Sequence, residues 1–205
     1  MNRTLRITGG AIMSLLALAI GLVSLRYALP NGPMRSPAVL ANAFANPALV
    51  VPATAAAIAL MIGPFQFIRA RSGRRPPWHR ISGPLYVAAC LVAAPAGFVL
   101  ALGSTAGPVA TAGFAILAVV WFYVNARGLQ AVLGRRYGEH GRWMARSYAL
   151  TFAAVTLRLY LPIGGALGLN FQQVYVATAW ISWIPNLIVM ELWLRRSRLT
   201  TTAPA

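Results

Sequence analysis

Six long apolar segments divide this chain, and their length constrains the fold more than any other feature. An α-helix of roughly 20 residues crosses a hydrocarbon core of about 30 Å. Every backbone polar group in that core must be paired within the protein, which leaves a helix as the structure for each segment. The segments cover residues 7–29, 48–68, 83–102, 109–126, 143–163 and 172–194. The sequence therefore predicts an all-α fold, an integral membrane six-helix bundle that forms a single transmembrane domain over residues 1–205.

Charged residues are scarce in this chain. A soluble domain carries about 25% charged residues, whereas this chain has 10% and is 59% apolar. Its net charge of +16 comes from arginines that flank the apolar segments, while a nucleic-acid-binding protein carries its basic residues on a soluble surface or a polar tail. The expected partners are therefore membrane lipids, including anionic headgroups, and not nucleic acid, because each basic residue near a membrane surface contributes about 1 kcal/mol to binding.

The positions of the arginines predict the orientation of the bundle. Positive residues that flank spans are retained on the cytoplasmic face during insertion. Fifteen of the eighteen arginines precede the first segment, follow the sixth, lie between the second and third or the fourth and fifth, or, in the case of Arg146, lie at the start of the fifth. All of these places fall on one side of an alternating bundle, so both termini are predicted to be cytoplasmic. The opposite connections include an external loop over residues 30–47.

The chain has two histidines, His79 and His140, and each precedes a segment that starts from the cytoplasmic side. They are therefore expected at the same depth. Neutral imidazole is a haem-iron ligand, and facing helices of a bundle commonly supply such ligands. Arg80 and Arg142 lie beside them, and guanidinium groups are suited to neutralise haem propionates. This pattern predicts a single b-type haem with two axial histidines, in an electron carrier whose redox or membrane-protein partner the sequence does not identify.

Other interpretations of the histidines stay open. Both are also consistent with interfacial residues that bond headgroups, water or loop carbonyls. His79 belongs to the preceding loop if Ser82 caps a new helix, and to the helix if the helix continues through Pro84. A metal site other than haem is not expected, since a closed zinc site needs four ligands and the histidines with Glu139 offer three.

A polar stripe on the fifth segment predicts a second kind of site. With about 100° between successive residues of a helix, His140, Ser147, Thr151 and Arg158 fall within about 20° of one line. Ionisable groups at membrane depth face a bundle interior or a wet cavity. Together with Asn186, the stripe residues Thr151 and Arg158 are candidate binding residues in a protein that binds or transports a small anionic or lipid-like ligand. A structural or assembly protein without a ligand is the remaining alternative.

Further residues in the apolar segments have expected structural roles. Pro95 and Pro185 each remove a backbone donor and are expected to bend the third and sixth helices. Glu191, near the inner end of the sixth segment, is expected to pair with an arginine such as Arg69 or Arg146. The chain has no phosphate-binding glycine loop, zinc-protease helix or serine elbow, so no enzyme activity is assigned.

Three short motifs carry a resemblance to a known family. They are GPFQF at 63–67, HRISGPLY at 79–86 and HGRWMARSY at 140–148, joined by Arg158 and the segment 180–186. From the second segment onward the chain resembles the uncharacterised membrane proteins described as domain of unknown function 2306. That resemblance implies a multispanning protein of the bacterial cytoplasmic (inner) membrane and no particular activity. The His-Arg pair and the spaced glycine that follows it are also similar to haem-ligating helices of ferric-reductase-like membrane cytochromes.

Overall fold

The computed structural model describes residues 3–29, 49–68 and 76–201. These residues are helical apart from short connections, and no strand occurs among them. Six helical stretches are long and apolar enough to cross a membrane, and we number them as spans one to six: Thr8–Tyr27, Val50–Phe67, His79–Leu102, Pro108–Leu133, Tyr137–Ala166 and Phe171–Ser197. The predicted all-α fold with six membrane spans is confirmed. The loop predicted for residues 30–47 and the arginines at 69, 71, 74 and 75 lie outside the described residues.

Four of the spans contain a change of helix type or a break. The α-helices are Arg3–Ser24, Val50–Ile62, His79–Leu102, Pro108–Leu133, Tyr137–Thr151, Ala153–Ala166, Phe171–Ile181 and Ile184–Thr201. Span two ends in the 3₁₀ helix Gly63–Phe67, and the first helix is followed by the 3₁₀ helix Leu25–Ala28. Span five is interrupted at Phe152 and span six at Ser182 and Trp183.

Span three begins at His79 rather than Gly83, because the helix continues through Pro84. Ser82 is not its N-terminal cap. The Ser82 hydroxyl donates to the carbonyl of Trp78 at 2.9 Å and accepts a hydrogen bond from Gln66 Nε2 at 2.8 Å. His79 is therefore the first residue of the third helix, which decides the question that the sequence leaves open.

Spans four and five are longer than the sequence predicts. The fourth helix continues to Leu133 and the fifth begins at Tyr137, whereas the apolar pattern ends at residue 126 and resumes at 143. The added turns extend the helices into the polar headgroup region. They contain arginines, whose long basic side chains reach water there. Arg135, in the short connection, has a φ of 59°, the left-handed conformation that makes a tight turn between the two helices.

Neighbouring spans along the chain pack side by side, and span four also contacts span six. One end of the bundle carries the starts of spans three and five, and we call it the histidine end. The opposite end carries the connection between spans three and four and the connection between spans five and six. The arginine distribution predicts that the histidine end is cytoplasmic.

Candidate functional site

His140 lies in the first turn of span five and contacts span four. Its Nδ1 is 2.9 Å from the carbonyl oxygen of Gly128. A carbonyl only accepts, so Nδ1 carries a proton in this contact, and the neutral ring then has its lone pair on Nε2. A side chain at position 128 would collide with Met144 and approach Trp143, so glycine allows the two helices to come this close.

Spans three and five contact each other directly, and each of the two histidines, His79 and His140, precedes that contact in its own span. Seven residues after each histidine are Tyr86 and Ser147, and the Tyr86 hydroxyl is 2.8 Å from Ser147 Oγ. Seven residues of helix correspond to about 10 Å, so the equal offset gives the histidines a similar depth. His79 is half-buried. Of the two arginines predicted to hold haem propionates, Arg80 is exposed and Arg142 is half-buried.

The 3₁₀ helix Gly63–Phe67 of span two lies between spans three and five near the histidine end. Gln66 donates to Ser82 of span three, and the ring of Phe67 packs on Tyr148 of span five with 5.5 Å between centroids. The sequence does not predict this insertion. Among the described residues, no group of three or more His, Cys, Asp or Glu side chains is placed to hold a metal ion.

Thr151 belongs to a buried hydrogen-bond network in the middle of the bundle. Its hydroxyl donates to the carbonyl of Ser147 at 2.9 Å, accepts from Trp121 Nε1 at 3.1 Å, and is 3.0 Å from the Tyr86 hydroxyl. Ser147 Oγ in turn donates to Asn125 Oδ1 at 2.8 Å. The Thr151 hydroxyl is thus already used in joining spans three, four and five.

Asn186 connects spans five and six. Its Nδ2 donates to the carbonyl of Ser182 at 2.9 Å and lies 3.3 Å from both Thr156 Oγ1 and the carbonyl of Ala149. Thr156 Oγ1 also donates to the Ser182 carbonyl. These contacts hold together the two places where the helices of spans five and six are interrupted. The structure therefore does not bring Asn186, Thr151 and Arg158 together in one ligand site.

Arg158 lines a cavity of about 460 Å³ toward the end opposite the histidines. The volume falls within the range of about 300–1,000 Å³ typical of small-molecule sites. Spans one, three, four, five and six contribute to the lining, which is mainly apolar. Small side chains of span three form part of the wall: Ala93, Ala94, Gly97 and Ala101. Trp121 and Tyr175 contribute aromatic rings, and a second guanidinium comes from Arg26 of span one.

The acidic side chains of the chain are both paired away from this cavity. There are two, Glu139 and Glu191. The Glu139 carboxylate is 3.1 Å from Arg136 and 3.8 Å from Arg127, near the histidine end. Glu191 accepts two hydrogen bonds from Arg146, one from Nε and one from Nη2 at 2.9 Å. The predicted pairing of Glu191 with an arginine is confirmed, with Arg146 as the partner.

Arg158 and Arg26 consequently line the cavity without a side-chain carboxylate beside them. Arg158 Nη1 donates to the carbonyl of Ala154 in its own helix at 2.9 Å. Arg26 Nη2 is 3.3 Å from the hydroxyl of Tyr27, and Arg26 Nε is buried with no hydrogen-bond partner among the described residues. Each guanidinium has five N–H donors, and a buried cation is costly unless it is paired. The arrangement is suited to bind an anion.

Arg26 is the part of this site that no sequence motif indicates. The signal present in the sequence is its location, because Arg26 is one of three arginines that fall outside the arginine-rich side of the bundle. Another is Arg158, and the third, Arg35, lies outside the described residues. The approach of Arg26 to Arg158 depends on the packing of span one, which the sequence alone does not specify.

A family model described as "Predicted membrane protein (DUF2306)" matches residues 50–194. The matched region is well over half of the chain and contains Arg158 and both histidines, whereas Arg26 precedes it. No curated protein and no solved structure matches the chain.

Proposed function

We propose that this chain, which belongs to the DUF2306 family of predicted membrane proteins, binds an anionic, lipid-like ligand in the cavity lined by Arg158. The observation that supports the proposal is a guanidinium at membrane depth that lines a cavity of about 460 Å³ while both carboxylate side chains of the chain are paired elsewhere. Ionisable groups inside membrane spans are costly to bury and commonly mark ligand pathways. An anion bound at Arg158 would offset that cost.

The lining of the cavity favours a ligand with an apolar part. Its walls are mainly aliphatic and aromatic, and apolar surroundings strengthen the attraction between a guanidinium and an anion. A free inorganic anion would leave these walls without a partner. An amphiphile uses both features, with its acidic group at Arg158 and its hydrocarbon part against the walls.

Binding is a better supported function than transport. Trp121 lines the cavity, and its Nε1 donates to Thr151 in the buried network beneath it. That network continues through Tyr86 to Ser147 and Asn125, and these side chains are bonded to one another across spans three, four and five. A ligand crossing the bundle would have to separate them, whereas a ligand that stays in the cavity leaves them in place.

The proposal is tested by ligand-induced thermal stabilisation of the purified full chain in phosphatidylcholine nanodiscs. An anionic ten-carbon amphiphile should raise the unfolding temperature, and decanol should not. Arg158→Gln should remove the stabilisation. Arg195→Gln, a change of an exposed arginine far from the cavity, is the matched control and should retain it. Equal stabilisation of the Arg158→Gln and unsubstituted proteins would contradict the proposal.

A single b-type haem in an electron carrier is a second candidate function. The observation that favours it is the contact of His140 Nδ1 with the Gly128 carbonyl, since a metal-ligating histidine usually donates its other ring N–H to such an acceptor. His79 would be the second axial ligand, with Arg80 and Arg142 at the propionates. We rank haem second because the 3₁₀ helix of span two packs between spans three and five near this end.

Absorbance spectroscopy of protein expressed with ample haem tests the second candidate. A Soret band that is lost in both His79→Ala and His140→Ala would support it. A correctly folded but colourless protein would exclude it and would leave the cavity proposal unaffected, since the two sites share no residue.

A further inference from the structure

The cavity contains two guanidinium groups, and they come from different parts of the chain. Arg158 belongs to span five, and Arg26 lies in the 3₁₀ helix Leu25–Ala28 that ends span one. Arg26 is held over the ring of Tyr27, with 5.1 Å from its Cζ to the ring centroid. Arg26 lines the cavity, and its buried Nε has no hydrogen-bond partner among the described residues, so protein acceptors do not saturate this guanidinium.

The number of positive charges restricts the acidic group of the ligand. A carboxylate neutralises one of the two guanidiniums and leaves the other uncompensated in a mainly apolar cavity. A phosphate monoester carries a charge of about −1.5 to −2 at pH 7 and three acceptor oxygens. Guanidinium groups bind phosphate through paired, parallel hydrogen bonds. A dianionic phosphate therefore matches Arg26 and Arg158 together.

The volume of the cavity indicates how much of the ligand it can hold. At about 30 Å³ for each non-hydrogen atom, the value for liquid water, a cavity of about 460 Å³ accommodates about 15 such atoms. A phosphate group accounts for five of them, which leaves about ten carbons inside the cavity. The small side chains at Ala93, Gly97 and Ala118 leave room for a slim hydrocarbon chain between spans three and four.

We infer that the ligand of this cavity is a lipid phosphate monoester, whose phosphate is bound by Arg26 and Arg158 together and whose chain lies against span three. The inference rests on the proposed function and adds the chemical class of the ligand. It also makes span one part of the site, although span one precedes the region that the family model matches.

The test measures the affinity of the full chain in phosphatidylcholine nanodiscs for decyl phosphate, decanoate and inorganic phosphate. Decyl phosphate should bind about tenfold more tightly than decanoate, as one additional charge-assisted interaction predicts. Arg26→Gln should remove that difference and leave decanoate binding within about threefold of its original value. Arg158→Gln should weaken both ligands by about tenfold or more, and Arg195→Gln should weaken neither.

The outcomes separate the inference from the proposed function. If Arg26→Gln leaves the preference for decyl phosphate intact while Arg158→Gln weakens both ligands, the inference is wrong and the anion site stands. If inorganic phosphate binds as tightly as decyl phosphate, the site takes free phosphate and the lipid assignment is wrong. If neither amphiphile depends on Arg158, both proposals fail. Should Arg26→Gln not fold, Arg26→Lys retains the charge without the paired donors and should still reduce the preference for phosphate at least threefold; an unchanged preference would overturn the inference.

Discussion

The Tyr86 hydroxyl joins spans three and five inside the bundle, where it has no access to solvent. Tyr86 is 3% exposed, and its hydroxyl contacts both Ser147 Oγ and Thr151 Oγ1. The Ser147 hydroxyl donates to Asn125 Oδ1, and the Thr151 hydroxyl donates to the Ser147 carbonyl. Since these two hydrogens are already used, the Tyr86 hydroxyl is the donor in these contacts, and its single hydrogen serves one of the two oxygens at a time. The network therefore has a definite direction.

Ser147→Ala should be more destabilising than Tyr86→Phe. The first change leaves the buried Asn125 Oδ1 without its donor, which costs about 1–3 kcal/mol. The second removes one donor from oxygens that retain other bonds, and hydrogen bonds between membrane helices average about 0.6 kcal/mol. The free energy of unfolding of each variant, measured by titration with sodium dodecyl sulfate, shows which of the two changes is more destabilising.

Ser14→Ala is the control for this comparison. The Ser14 hydroxyl donates to the Gly10 carbonyl in its own helix and is exposed, so its removal should change the free energy of unfolding by no more than about 0.5 kcal/mol. A loss in Ser147→Ala no larger than that in Ser14→Ala would show that the network does not stabilise the bundle.

The polar stripe on span five illustrates what the sequence can and cannot predict about the site. Helical spacing places Ser147, Thr151 and Arg158 on one face, and polarity indicates that this face is turned inward. It does not indicate which of them is already bonded, because the partners Tyr86 and Asn125 belong to other spans. The Thr151 hydroxyl is already bonded to other spans, whereas Arg158, among the residues that the structure describes, donates to a carbonyl of its own helix.

At the scale of helical elements, spans four and six are in close contact at a point where both carry small residues. Gly113 of span four lies against Ala179 of span six, which is fully buried. The Ala179 carbonyl accepts from Trp183 Nε1 at 2.9 Å. The ordinary helical donor to that carbonyl, the backbone N–H of Trp183, instead bonds Trp180 because the helix is interrupted there. The indole thus compensates for the interruption ahead of Pro185.

Gly113→Ala should destabilise the protein. A methyl group at this position would lie 2.8 Å from the Ala179 carbonyl oxygen and 2.9 Å from its Cβ, so the backbones must move apart. Overpacking of this kind costs about 1–3 kcal/mol. Titration with sodium dodecyl sulfate again gives the free energy of unfolding.

Gly165→Ala is the matched control, because a Cβ at Gly165 has no atom within 4 Å. Replacing an unhindered helical glycine by alanine is expected to stabilise by about 0.5–1 kcal/mol. The two variants should therefore shift the unfolding free energy in opposite directions. A shift of the same sign in both would mean that spans four and six are not in close contact at this point.

The helical elements themselves are largely predictable from hydropathy, and the errors have identifiable causes. The length of the apolar segments located all six spans, because a helix needs that length to cross the hydrocarbon core. It misplaced the ends near residues 126 and 143, where arginines continue a helix beyond the core. An interruption precedes Pro185, whereas the third helix continues through Pro95. The insertion of Gly63–Phe67 between two other spans has no local signal, since it depends on side chains from three helices.

At the scale of the whole molecule, the two ends of the bundle differ in charge and in packing. The histidine end contains both carboxylates and the arginines that pair with them. Trp143 adds to this cluster, with the guanidiniums of Arg127 and Arg146 at 5.6 Å and 4.9 Å from its ring. The opposite end contains the cavity with Arg26 and Arg158. We propose that exposed arginines at the histidine end contact anionic headgroups, while the charges in the cavity bind the ligand.

Cysteine accessibility in intact bacterial cells should place the histidine end in the cytoplasm. Leu169→Cys introduces a thiol in the exposed connection between spans five and six, and Tyr137→Cys introduces one in an exposed position at the histidine end. A membrane-impermeant maleimide should label Leu169→Cys in intact cells and Tyr137→Cys only after the membrane is opened. The unsubstituted protein is the control, because its Cys90 is fully buried and should not react. The reverse labelling pattern would mean that the arginine-rich end faces outward, which would contradict the retention of positive charge on the cytoplasmic side. The cavity, at the opposite end of the bundle, would then be a site for ligands of the inner leaflet.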